Sequence, residues 1–100
     1  MGFNTELLHG TKTGDPVTGA TLTPVYQSSA FFQPSAEQHE KLFHNKAAGY
    51  SYTRINNPTI AAFEERMTVL EKGAASVACA SGMAAITNAL LNIVGSGDEI

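Results

Sequence analysis

Two stretches of the chain repeat apolar residues at the same helical spacing. Ile60, Phe63, Met67 and Leu70 fall at i, i+3, i+7 and i+10, and Met83, Ile86, Leu90 and Ile93 fall at the same intervals. Each set lines one side of an α-helix. The first helix has clear ends. Asn57-Pro58 offers an N-cap amide and then a ring that presets φ at the first helical position. Gly73, after Glu71 or Lys72, predicts a left-handed cap. The second helix follows Ser81-Gly82, runs to about Val94, and is stopped by Gly95-Ser96-Gly97. Between them, Ala74 to Ala80 is small and apolar without alternation, the pattern of a strand buried on both faces. Asp98-Glu99-Ile100 starts what reads as a further strand, so the expectation is a fragment of a longer α/β protein.

Upstream the pattern weakens. Ser35-Ala36-Glu37-Gln38 matches a capping box and predicts a helix to about Asn45, with Leu42 and Phe43 inward. Tyr50 to Asn56 reads as extended, which would put Tyr52 and Arg54 on one side. Residues 1–34 are punctuated by Gly10, Gly14, Asp15-Pro16 and Gly19, with one helical turn expected at Glu6-Leu7-Leu8-His9. So long an arm is unusual within a compact domain. It makes more sense lying across a partner subunit or a larger body.

Composition narrows the classes. At 43% hydrophobic and 15% charged, the 100 residues are ordinary for a globular chain. A net charge of −3 with scattered Lys and Arg argues against nucleic acid or a polybasic membrane anchor. The single cysteine, Cys79, excludes an internal disulfide and suits a reducing, cytoplasmic setting. The opening residues lack a signal-peptide pattern, and Glu6 stands where a myristoylation motif wants Ser or Thr. No apolar run is long enough to span a bilayer.

The candidate chemistry lies at two places. Ala80-Ser81-Gly82-Met83 joins a predicted strand to a predicted helix, where free backbone N–H groups and the positive helix end favour a phosphate. Gly82 lets the backbone approach an anion closely, and Ser81 adds a hydroxyl donor. Tyr52-Thr53-Arg54 offers a phenol and a guanidinium whose planar fork can take two phosphate oxygens. Each has a bland alternative, a ligand-free Ser-Gly turn or a surface Tyr and Arg beside a bend. Cys79 reads as a small core residue. His9, His39 and His44 lack metal-ligand spacing. Lys41, Lys46 and Lys72 read as solvated, and Glu64-Glu65-Arg66 as an exposed helix face.

Taken together and in order, the motifs are specific. Pro24-Val25-Tyr26-Gln27-Ser28-Ser29-Ala30-Phe31, Tyr52-Thr53-Arg54-Ile55-Asn56-Asn57-Pro58-Thr59, Leu70-Glu71-Lys72-Gly73, Ala80-Ser81-Gly82-Met83-Ala84-Ala85-Ile86 and Gly97-Asp98-Glu99-Ile100 span nearly the whole chain. It resembles the N-terminal part of the pyridoxal 5′-phosphate (PLP) enzymes of cysteine and methionine metabolism, the trans-sulfuration gamma family. The Tyr-Thr-Arg-Ile form looks most like the O-acetylhomoserine sulfhydrylase branch. The resemblance implies an α/β, aspartate-aminotransferase-like (fold type I) architecture. Residues 1–57 would be an N-terminal arm and first helix making inter-subunit contacts, and 58–100 the start of the PLP-binding domain. It implies that the backbone N–H groups of Gly82 and Met83 bind the cofactor phosphate. It implies that Tyr52 and Arg54 reach that phosphate in the neighbouring subunit of a homotetramer built as a dimer of dimers. It also implies that the Schiff-base lysine, the ring-stacking aromatic and the Asp at the pyridine nitrogen lie beyond Ile100. Lys12, after Thr11, is a decoy, because it falls in the arm.

The expected activity is substitution at the γ carbon of an activated homoserine, first of all O-acetylhomoserine plus sulfide giving homocysteine and acetate. Alternatives are a cystathionine gamma-synthase or methionine gamma-lyase reaction. A rival from another class is a non-catalytic fragment or assembly module lending Tyr52 and Arg54 to another chain's site, and a third is an anion-binding fragment without PLP. These 100 residues alone should show no turnover.

Overall fold

The computed structural model describes residues 2–11 and 14–100, so Lys12 lies outside the described residues. Four helices follow in order: α1 (Phe3–His9), α2 (Ala36–Phe43), α3 (Pro58–Leu70) and α4 (Gly82–Ile93). In α1 the Gly2 carbonyl accepts from the N–H groups of Thr5 and Glu6, so this helix begins earlier than the single turn expected at residues 6–9. Ser35 caps α2, its hydroxyl accepting from the Gln38 N–H at 3.1 Å. Asn57 caps α3 in the same way, accepting from the Thr59 N–H at 2.8 Å, with Pro58 at the first helical position.

The ends of α2 and α3 share one geometry. Asn45 (φ 55°) and Lys72 (φ 53°) take the left-handed conformation. The next N–H closes back on the helix, Lys46 to the Lys41 carbonyl at 2.8 Å and Gly73 to the Thr68 carbonyl at 2.9 Å. This is the Schellman closure. It corrects the expectation for α3: the left-handed residue is Lys72, and Gly73 sits one place beyond it, donating the closing bond.

Among the described residues there is no β-strand. The one pairing is an isolated antiparallel bridge between Ala30 and Tyr52. Ala74 to Ala80, expected as a buried strand, is irregular chain, with Val77 81% exposed. It is tied to α3 instead. The Ala78 N–H donates to Glu64 Oε1 at 2.8 Å, and Thr68 Oγ1 meets Ser76 Oγ at 2.9 Å. Asp98 to Ile100 is irregular as well. A strand is made by its neighbours, and neither segment has one here.

The apolar stripes are likewise uncovered. Asn57, 3% exposed, is the sole buried residue among those described, and no apolar side chain is buried. Met67, Leu70 and Leu42 are half-buried, but Ile60, Phe63 and Phe43 are exposed, against expectation. The accessible surface is 8069 Å². A compact monomer of this mass would show about 5,500 Å². The radius of gyration is 16.9 Å, against ~13 Å for a compact 100-residue domain.

Among the described residues α1 against α3 is the only helix–helix contact. Arg66 fastens it, donating to the Leu7 carbonyl at 2.6 Å and to Thr11 Oγ1 at 3.1 Å. With Glu64 holding Ala78, only Glu65 of Glu64-Glu65-Arg66 forms the solvated face expected there. No helix among the described residues is long and apolar enough to cross a membrane.

Candidate phosphate-binding site

The N-terminus of α4 is built by Ser81. Its backbone is extended (φ −151°, ψ 161°), and its Oγ accepts from the Ala84 N–H at 3.1 Å. The first-turn N–H groups of any helix lack intrahelical acceptors. Here the cap satisfies that of Ala84, and the Ser81 carbonyl takes that of Ala85 at 3.1 Å. The N–H groups of Gly82 and Met83 have no acceptor among the described residues. The Ser81 hydroxyl accepts one bond and still has its own hydrogen to give. A Cβ built on Gly82 would meet no atom within 4 Å, so the space beside it is open. Two backbone donors, a hydroxyl donor and the helix dipole therefore converge on one accessible point, a donor set that fits a phosphate. A groove of about 400 Å³ runs alongside, between α3 and the α4 start, lined in part by Phe63, Glu64, Met67, Ser81 and Gly82.

Tyr52 and Arg54 lie elsewhere on the chain, and their arrangement corrects the expected extended segment. Residues 52–55 form a turn, with the Tyr52 carbonyl accepting from the N–H groups of Ile55 (3.0 Å) and Asn56 (3.1 Å). The two side chains still meet. The Arg54 Cζ sits 5.3 Å from the centroid of the Tyr52 ring, within cation–π range. Both residues are exposed, so the guanidinium fork and the phenol are offered outward as a pair. No hydrogen bond, ion pair or ring contact joins this pair to Ser81, Gly82 or Met83 among the described residues.

Sequence reasoning gave Asn57 one task, the cap of α3. The structure gives it a second. Its Nδ2 donates to the Tyr26 carbonyl and to Thr53 Oγ1, each at 3.1 Å. Thr53 in turn donates from Oγ1 to the Ser28 carbonyl at 2.6 Å and from its N–H to the Ser29 carbonyl at 2.8 Å. Thr59 Oγ1 accepts from the Tyr26 N–H at 2.8 Å. The arm segment 26–31 and the turn carrying Tyr52 and Arg54 are thus stitched to the start of α3. Their partnership spans 31 residues and has no local pattern.

Cys79, expected as a small core residue, is instead half-buried in irregular chain, because no apolar core forms among the described residues, and its Sγ accepts from Asn88 Nδ2 at 3.5 Å. His39 and His44 are exposed on α2, His39 beside the Phe43 ring and His44 4.0 Å from Glu40. No metal-ligating cluster occurs among the described residues. Lys41 is exposed and paired with Glu37 at 2.9 Å, and Lys46 and Lys72 are exposed.

Comparison with known proteins gives this geometry its setting. The model of the Cys/Met metabolism PLP-dependent enzyme family matches residues 4–100, and the chain belongs to that family. It is 44% identical over 99 residues to the O-acetyl-L-homoserine sulfhydrylase of Corynebacterium glutamicum, covering 99% of this chain and 23% of the relative. It is 46% identical over 100 residues to the cystathionine gamma-lyase of Bacillus subtilis, covering all of this chain and 24% of the relative. A crystal structure from Campylobacter jejuni, assigned as an O-acetylhomoserine (thiol)-lyase and holding N'-pyridoxyl-lysine-5'-monophosphate, superposes with a TM-score of 0.85. That match has 34% identity and covers 98% of this chain and 24% of the other. The chain therefore spans about a quarter of the length of the proteins it matches, and the fold is that of fold type I PLP enzymes.

Proposed function

We propose that this chain supplies part of the PLP site of an enzyme that replaces the γ substituent of an activated homoserine. The observation that carries the proposal is the start of α4, where the N–H groups of Gly82 and Met83 and the Ser81 hydroxyl are free to hold a phosphate. Tyr52 and Arg54, paired and exposed on their turn, bind the same phosphate from the neighbouring subunit. Residues 1–57 act as the arm that reaches the neighbour, and 58–100 open the cofactor domain. The assembly is a homotetramer of two such dimers, working in the cytoplasm.

Bound there, PLP supplies an electron sink for negative charge on the substrate's Cα and Cβ. The chain's own residues fix the phosphate, and with it the position of the ring. The paired Tyr52 and Arg54 add a neutral donor and a cation to a dianion. With hydrosulfide as nucleophile, the Cγ–O bond of O-acetylhomoserine breaks, a Cγ–S bond forms, and acetate leaves with the electron pair. The products are homocysteine and acetate. The sulfhydrylase likeness at 44% identity favours this reaction. The cystathionine gamma-lyase likeness at 46%, with methionine gamma-lyases at 38–41%, favours elimination from cystathionine or methionine as the second reading.

The test is made on the native protein. Its visible spectrum before and after borohydride reports whether PLP is covalently held, and products are then assayed with O-acetylhomoserine plus sulfide, with cystathionine and with methionine. Acetate released only when sulfide is present supports the first reading. Ammonia and a 2-oxo acid from cystathionine or methionine support the second, and a colourless protein that takes up no PLP rejects both.

A further inference from the structure

We infer that Asn57 is a positioning residue for the cofactor phosphate, acting through Thr53 to hold the Tyr52–Arg54 pair in binding geometry. The inference rests on the reading that this pair touches the phosphate, and goes beyond it by naming what sets the pair in place.

Asn57 is the one buried residue among those described, and it is polar. A polar side chain is buried at low cost only when its hydrogen bonds are made. Here both amide protons and the carbonyl oxygen are used. The neighbours fix the orientation of the amide. The Thr59 N–H must face an acceptor and the Tyr26 carbonyl must face a donor. Thr53 Oγ1 donates to the Ser28 carbonyl, so it can only accept from Asn57. The result is a directed relay from the Asn57 amide through the Thr53 hydroxyl to the Ser28 carbonyl. Thr53 stands between Tyr52 and Arg54 in sequence. With its N–H and hydroxyl both anchored on the arm, Thr53 fixes the backbone of the turn from which the paired Tyr52 and Arg54 side chains project.

Only an amide meets this need. An Asp at position 57 would cap α3 equally well. It would have no proton for the Tyr26 carbonyl or Thr53 and would set a carboxylate against the former. Asn57→Asp therefore separates the cap from the relay.

The experiment is a PLP titration of the native protein, stripped of cofactor, by absorbance and fluorescence. Arg54→Ala tests the underlying reading and should weaken PLP by about tenfold or more, the loss of one charge-assisted bond. If it does not, the phosphate reading itself fails. With that loss in hand, Asn57→Asp should weaken PLP by a similar factor, and the double variant should be little worse than Arg54→Ala alone. Such non-additivity marks action through a shared group. Thr53→Val, which keeps shape and removes the relay hydroxyl, should reproduce the loss, and Thr53→Ser should restore near-normal affinity. If Asn57→Asp does not fold, the Thr53 pair carries the same test. Unchanged PLP affinity in Asn57→Asp or Thr53→Val, or fully additive losses in the double variant, would overturn the inference.

Discussion

Ser81 is asked to do two things at once, and a single substitution can pull them apart. Its Oγ caps α4 by accepting from the Ala84 N–H, and its hydrogen is free for a phosphate. Ser81→Ala removes both. The lost cap costs ~1 kcal/mol of stability, and the lost charge-assisted bond lowers PLP affinity by about tenfold. Ser81→Asp removes only the second. Asp ranks with Ser as an N-cap, and its charge favours the helix dipole by ~0.3–1 kcal/mol. The same carboxylate would lie near the point where the N–H groups of Gly82 and Met83 converge. At ~4 Å and an effective dielectric constant between 20 and 80, each like-charge pair costs about 1–4 kcal/mol. A phosphate dianion roughly doubles that, so PLP affinity should fall ~30-fold or more at low salt. The penalty should shrink as salt is added, because the site is open to solvent.

The assay pairs thermal unfolding of the cofactor-free native protein with a PLP titration of the same samples. Ser81→Ala should lose stability and affinity together. Ser81→Asp should keep or gain stability while losing more affinity than the alanine variant. If Ser81→Asp binds PLP as tightly as the parent, no phosphate sits at this helix end, and the case for the site collapses.

Three further outcomes follow from other parts of the chain. Arg66→Met removes the clasp on the Leu7 carbonyl and Thr11, and should loosen α1 by ~1–3 kcal/mol, read as faster amide exchange confined to residues 2–11. Lys72→Gly relieves the left-handed backbone at φ 53° and should raise stability by ~1 kcal/mol without touching PLP affinity, checked by denaturant unfolding. The Asp15 carboxylate is held below its ordinary pKa by the Val17 N–H and the Thr18 hydroxyl. A depressed carboxylate contributes above its unfolded pKa and loses that contribution as pH falls through the folded one. The 15–18 turn should therefore survive mild acid and open only below the normal Asp titration, visible in carboxyl and Val17 amide NMR shifts.

The sequence was most informative where structure is local. Ser35 and Asn57, read as caps, each cap a helix that begins at the next residue, because a cap needs only a side-chain oxygen and an N–H two or three places on; Ser81, read as part of a turn, proves to be a third such cap, with its helix starting at Gly82. It was least informative where structure depends on distant groups. Tyr52-Thr53-Arg54 alternates like a strand, yet Thr53 is drawn onto Ser28 and Ser29, and the segment turns instead. Arg66 reaches a carbonyl 59 positions away. Gly73 looked like the left-handed residue because glycine favours it, but the length of α3 put Lys72 there.

The same division explains the missing strand and the bare stripes. Caps and Schellman closures are complete within a few residues, so α2, α3 and α4 form with their apolar sides uncovered. Ala74 to Ala80 cannot do the equivalent, since a strand's bonds belong to its neighbours. Its N–H at Ala78 settles on Glu64 instead. The surface exceeds that of a compact monomer by roughly 2,600 Å², more than a standard protein–protein interface buries. Met83, Ile86, Leu91 and Ile93 of α4 contribute to that excess. The helix whose first turn leaves the Gly82 and Met83 N–H groups without acceptors among the described residues thus carries an exposed apolar flank. Ser81 caps its first turn from within three residues, a local arrangement that forms whether or not Met83, Ile86, Leu91 and Ile93 are covered.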